Sequence, residues 1–220
     1  MKYAIANWKQ NMNSQLILDW FSDFEKEVNL EFKSNVEVII LPTFLHIPLV
    51  VSYAKNLGLD IGAQATSEYD KGAHTGKVGS DQLAEFCKYV LVGHSECKNS
   101  VDQVNKKIEL NTNYNLKSLI CFVEVSTLKS YGSIPDDAVI IMEDPANISK
   151  DGNFNALSSN GIAQKLEEAR AYIKQQPILY GGSVNTNNVQ NIMLSGVDGF
   201  ISGSESLSGK KFAQMVNSLI

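Results

Sequence analysis

Polar residues able to move protons or hold a growing negative charge recur in this 220-residue chain at one kind of place, the end of a short apolar run. Asn7 and Lys9 follow the first run, Gln64 the third, His94 with Ser95 and Glu96 the fourth, Glu124 the fifth, and Glu143 with Asp144 the sixth. An ammonium there holds an oxyanion or a phosphate, an imidazole polarises a carbonyl or shuttles a proton, and a carboxylate acts as a general base. Each also has a plainer reading: Lys9 as a solvated lysine, His94 as a hydrogen-bonded structural histidine, Glu143 as a carboxylate solvated at its strand end. The last two runs end in small residues, Tyr180-Gly181-Gly182-Ser183 and Ile201-Ser202-Gly203-Ser204. Backbone N–H groups approach an anion there without side chains in the way, and the helical spacing over 186–194 and 207–219 adds the positive end of a helix. One Gly-Gly after a strand is a plain turn; two such ends in consecutive units point to a phosphate.

Elements that bring these residues together follow from periodicity. Eight β-rich runs alternate with helix-period segments, among them 15–28, where Leu16, Ile17, Trp20, Phe21, Phe24 and Val28 share a face. Parallel strands need crossovers and are buried on both faces, so the pattern predicts a compact (β/α)8 barrel in a single domain, 1–220. A doubly wound open sheet has the same periodicity, but it places a glycine fingerprint after its first strand, where Asn7-Trp8-Lys9-Gln10-Asn11 has none. After Glu124 only 125–132 has any helical character, so the helix after strand 5 is expected to be shortened or missing. A polar loop at 65–80 is long enough to suggest function.

Composition removes several classes. A net charge of -5, with Arg170 as the only arginine, gives no footprint for nucleic acid, and any bound phosphate must rely on backbone N–H groups and lysine. No apolar run reaches the roughly 18 residues of a membrane span. Three cysteines, Cys87, Cys97 and Cys121, lack both disulfide and zinc spacing, and the first strand pattern starts at once with no cleavage design, so a cytoplasmic protein is expected.

In order and spacing, Ala6-Asn7-Trp8-Lys9 with Asn11, Gly62-Ala63-Gln64, Gly72-Ala73-His74-Thr75-Gly76, Val92-Gly93-His94-Ser95-Glu96, Cys121-Phe122-Val123-Glu124, Tyr180-Gly181-Gly182-Ser183-Val184-Asn185 and Gly203-Ser204-Glu205-Ser206-Leu207 are similar to the triosephosphate isomerase family nearly end to end. The resemblance implies a TIM barrel that interconverts dihydroxyacetone phosphate and D-glyceraldehyde 3-phosphate with no cofactor and no metal, as a homodimer or higher oligomer. It implies Glu143 as the base, neutral His94 as the electrophile, Lys9 with Asn7 as the enediolate clamp, and Ser95 and Glu96 as supports, Glu96 holding the lysine. Ser149, Ser183, Gly203 and Ser204 would bind the phosphate.

Departures from the family pattern are local. The segment after strand 6 reads Glu143-Asp144-Pro145-Ala146-Asn147-Ile148-Ser149, without the family's bulky residue after proline. Either Glu143 or Asp144 aligns with the family's base; the first keeps Ile148 in place and is preferred, because an aspartate, one methylene shorter, misplaces the carboxylate. Lys77 and Cys97 stand where the family carries an acidic residue and an arginine, so both ends of an ion pair are gone together. Two other readings stand beside the isomerase: a catalytically weak or silent barrel kept for phosphate binding or assembly, and a related sugar-phosphate isomerase or aldolase.

Overall fold

A computed structural model describes residues 1–144, 157–173 and 175–220. Among them the apolar runs form strands β1 (Lys2–Asn7), β2 (Val36–Leu41), β3 (Asp60–Ala63), β4 (Tyr89–Val92), β5 (Lys117–Phe122), β6 (Val139–Glu143), β7 (Ile178–Gly181) and β8 (Gly199–Ser202). Each pairs in parallel with its sequence neighbour, and β8 pairs with β1, which closes a TIM barrel. The barrel is the predicted fold, and the open-sheet alternative is excluded by that last pairing.

Alternation along the strands builds two cores. Ile5, Ile39, Leu119, Val139, Ile141 and Leu179 fill the barrel, whereas Ala4, Ala6, Val38, Ile140 and Met142 face the helices. Helices α1 (Ser14–Glu27), α2 (Phe32–Asn35), α3 (Ile47–Leu57), α4 (Ser80–Leu83), α5 (Val101–Asn113), α6 (Val125–Ser130), α7 (Ser159–Arg170), α8 (Val189–Met193) and α9 (Gly209–Asn217) form the outer layer. The apolar face of α1 buries Ile17, Trp20, Phe21 and Phe24. Trp20 stacks on Phe24 at 5.0 Å and meets Trp8 edge-on at 5.1 Å. These rings also set up the site, because the Trp20 indole donates to the Ser206 carbonyl at 2.8 Å, just beyond the second glycine turn.

The wall after β5 is covered by the chain itself. Six-residue α6 supplies buried Leu128, and Tyr131 caps it and is buried too. Elsewhere the predicted helices shorten: 186–194 contributes only α8, and 207–219 contributes α9 from Gly209, preceded by a 3-10 turn, Ser204–Leu207. No helix among the described residues is long and apolar enough to cross a membrane.

Candidate active site

Strand parity decides which side chains reach the barrel mouth. Val139 and Ile141 of β6 point inward and Met142 outward, so the two-residue period sends Glu143 into the barrel and Asp144 out of it. The same parity on β1 carries Ile5 and then Asn7 inward. Glu143 and Asn7 line a cavity of about 330 Å³ with Lys9, His94, Glu96, Ser183, Gly203 and Ser204, closed on its apolar side by Val184, Ile201 and Leu207. Residues up to 200 positions apart in sequence, Asn7 and Leu207, thus meet at one mouth. Ser149 lies outside the described residues, as does the rest of 145–156.

Lys9 is held by its neighbours in a left-handed backbone conformation, φ 49°, that a residue with a side chain adopts only at a cost. Asn7 Oδ1 accepts from the Lys9 N–H at 3.1 Å, and Gln64 Nε2 donates to the carbonyls of Lys9 and Leu41, each at 2.9 Å. The ammonium is 2.6 Å from Glu96 Oε1. Burial by itself raises the Glu96 pKa, but the hydrogen bond from Lys9 and its charge outweigh that and hold it below the ordinary carboxylate value.

His94 Nδ1 accepts from the Glu96 N–H at 3.2 Å. An accepting ring nitrogen carries no proton, so this contact assigns the proton to Nε2. Nε2 faces Glu143 Oε1 at 3.7 Å. Ser95–Cys97 forms a three-residue 3-10 turn; a single local N–H, and no helix macrodipole, selects the tautomer.

Glu143 is 5% exposed, and its carboxylate accepts from the Ser95 N–H at 3.1 Å. That bond, shared between both carboxylate oxygens, partly offsets the cost of a charge in this position. The Glu143 carbonyl accepts from Lys165 Nζ of α7 at 3.3 Å.

The two glycine turns form the opposite wall. Ser183 has φ 47°, the left-handed conformation found at turns that can hold an anion. Its carbonyl accepts from Asn185 and Asn188, and Ser202 Oγ donates to the Val184 carbonyl at 3.0 Å, tying one turn to the other. Ser206 Oγ donates to the Gly203 carbonyl at 2.6 Å. Arg170 is committed elsewhere, 2.6 Å from Asp198 and 2.7 Å from the Gln176 carbonyl.

Some strand-end residues do not join. Glu124 is exposed at the start of α6 and lies outside the cavity lining, and so does buried Asp144, packed beneath Gly182. Other contributions were not visible in the sequence: Lys165, whose helical spacing says nothing of a strand end, and Tyr180, whose hydroxyl accepts from the Leu157 N–H at 3.3 Å from within an apolar run. Among the described residues no group of three or more His, Cys, Asp or Glu side chains is placed to hold a metal ion.

A family model described as triosephosphate isomerase matches residues 2–219 of the chain. Similar proteins carry the same name: one from Wolbachia pipientis wMel is 27% identical over 96% of this chain and 91% of its own length. One from Colwellia psychrerythraea is 29% identical over 94% and 93%, and one from Amoebophilus asiaticus is 29% identical over 97% of both.

Proposed function

The chain belongs to the triosephosphate isomerase family, and we propose that Glu143, His94 and Lys9 carry out the interconversion of dihydroxyacetone phosphate and D-glyceraldehyde 3-phosphate that this membership assigns to it. The observation that supports the roles is the 3.7 Å approach of Glu143 Oε1 to His94 Nε2 in the cavity that also holds the Lys9–Glu96 pair. Glu143 takes a proton from the carbon beside the carbonyl and returns it to the neighbouring carbon, so no atom or electron is gained or lost. His94, donating through Nε2, polarises the carbonyl and moves the hydroxyl proton, while Lys9 and the Asn7 amide stabilise the charge on oxygen without reorganisation. The phosphate is held by the N–H groups around Ser183, Gly203 and Ser204, with Ser149 completing the grip. With Arg170 tied to Asp198, no guanidinium fork takes part.

Purified protein assayed at steady state with glyceraldehyde 3-phosphate is expected to turn it over with no added cofactor or metal. Phosphate binding without turnover would favour the silent barrel instead.

The finer setting we propose is a cytoplasmic homodimer. Its supports are the exposed apolar side chains Phe44, Leu45 and Phe86, Leu45 87% exposed; Phe44 lines a second cavity with Lys9, Thr43, Gln64 and Cys97 and a third with Phe86. Lys77, lacking the family's partner, lies 3.9 Å from Glu68 within its own loop, so the contact is expected to rest on apolar burial. Light scattering should give twice the chain mass, insensitive to salt; a monomer with full activity at the same concentration overturns the dimer.

A further inference from the structure

Pairing between β4 and β5 ends at Val92 and Ile120. Lys117 N–H donates to the Lys88 carbonyl at 2.9 Å, so the odd-numbered residues of β5 turn their peptide groups toward β4. Carried onward, that ladder assigns the Cys121 carbonyl to the N–H of residue 94. The chain leaves the ladder first: Gly93 turns with φ 77°, and His94 enters the cavity. A buried carbonyl needs a donor, and the hydroxyl of Tyr131 supplies it, 3.0 Å from the Cys121 oxygen. The fit is close, because a Cβ added at Gly93 would lie 3.1 Å from both oxygens.

We propose that Tyr131 is a positioning residue for the catalytic pair: its hydroxyl fills the gap that the turn at Gly93 opens between β4 and β5, and so fixes His94 on one side and, through Cys121, Glu143 on the other. Cys121 is the link to the base. Its thiol is fully buried on β5 opposite Ile141, two residues before Glu143 on β6, and burial first, then the charge of Glu143, pushes its pKa up. Burial, with Cys121 and Glu143 adding to it, pushes the Tyr131 phenol up to about 12, which keeps it a donor at any working pH. Tyr131 touches neither cavity nor substrate; it follows the shortened α6 and closes the wall that a longer helix would cover. The role therefore belongs to this chain's own shortened segment, and it rests on the proposed roles of His94 and Glu143.

Tyr131→Phe removes one oxygen and leaves the ring in the wall. The readouts are kcat, KM and the dissociation constants of two phosphates: glycerol 3-phosphate, which resembles the ground state, and phosphoglycolate, planar and anionic like the enediolate. Catalysis by differential binding makes only the second sensitive to the His94–Glu143 geometry, so kcat and phosphoglycolate affinity should each fall about tenfold while KM and glycerol 3-phosphate stay within about twofold. Both dissociation constants are read on folded molecules, so a loss of stability does not imitate the result. Unchanged kcat and phosphoglycolate affinity overturns the proposal, and so does equal weakening of both ligands, the mark of a merely structural role. Glu143→Gln run in parallel separates the two levels: if it stays active, the site assignment falls and the proposal with it, whereas a dead Glu143→Gln beside a normal Tyr131→Phe overturns the positioning role alone.

Discussion

Glu143→Gln should lower kcat by about 10²–10⁴, the contribution of a positioned general base, while Asp144→Asn should keep most of the activity. Glutamine preserves the length of the side chain and an oxygen for the Ser95 N–H, so the variant loses the basic group and little else. The contrast between adjacent carboxylates follows from strand parity: Glu143 continues the inward series Val139 and Ile141, and Asp144 falls on the other face, outside the cavity lining. Both are buried, at 5% and 8% exposure, so burial does not distinguish them; the direction of the side chain does. Steady-state assay of both variants in both reaction directions is decisive. Activity that survives in Glu143→Gln and disappears in Asp144→Asn would move the base by one residue and contradict the parity argument.

Lys9→Met should cost about 10²–10³ in kcat/KM, the scale of one preorganised donor lost from an oxyanion site. The side chain lies beside the second glycine turn, its Cε 3.6 Å from where a Cβ on Gly203 would sit, so under the proposed mechanism the ammonium is placed to serve both the oxygen and the phosphate end of the substrate. KM should therefore rise as kcat falls. A second effect comes through Glu96. In the intact pair its folded-state pKa is depressed, so the pair's contribution is present above the ordinary carboxylate pKa and is lost as pH falls through the folded value. Without Lys9 the main cause of that depression is gone, leaving burial, which raises the Glu96 pKa, against the smaller effect of His94; the variant should lose this pair's share of the acid-side pH dependence of stability. A Lys9→Met protein with kcat/KM within tenfold of the parent would remove the ammonium from the mechanism.

The polar residues at strand ends were legible because a barrel admits them at only one place. A parallel strand is buried on both faces, so its run is apolar until it leaves the sheet, and the first polar residue marks the mouth. That logic recovered Asn7, Lys9, His94, Glu143 and the two glycine turns, which the fold brings together around one cavity. It also admitted Glu124, since nothing in the residue order tells a strand end at the mouth from one that caps a short outer helix. Between β4 and the helical spacing that starts at Val101 lies a 3-10 turn followed by a left-handed residue, Lys98, which periodicity does not show.

From its residues alone the chain set its alternation of strand and helix, the shortened segment after β5 and the polar residues at its strand ends, because burial and periodicity are local properties written in order along the backbone; closure of the sheet was decided by the pairing of β8 with β1. Tertiary structure alone decided the contacts that support the site: Ser95 with Glu143, Tyr131 with the Cys121 carbonyl and Lys165 with the Glu143 carbonyl. Those contacts join positions 10 to 48 residues apart and depend on where a strand twists or a chain leaves its ladder by one residue. Geometry of that kind is shared between segments, and no single segment carries it.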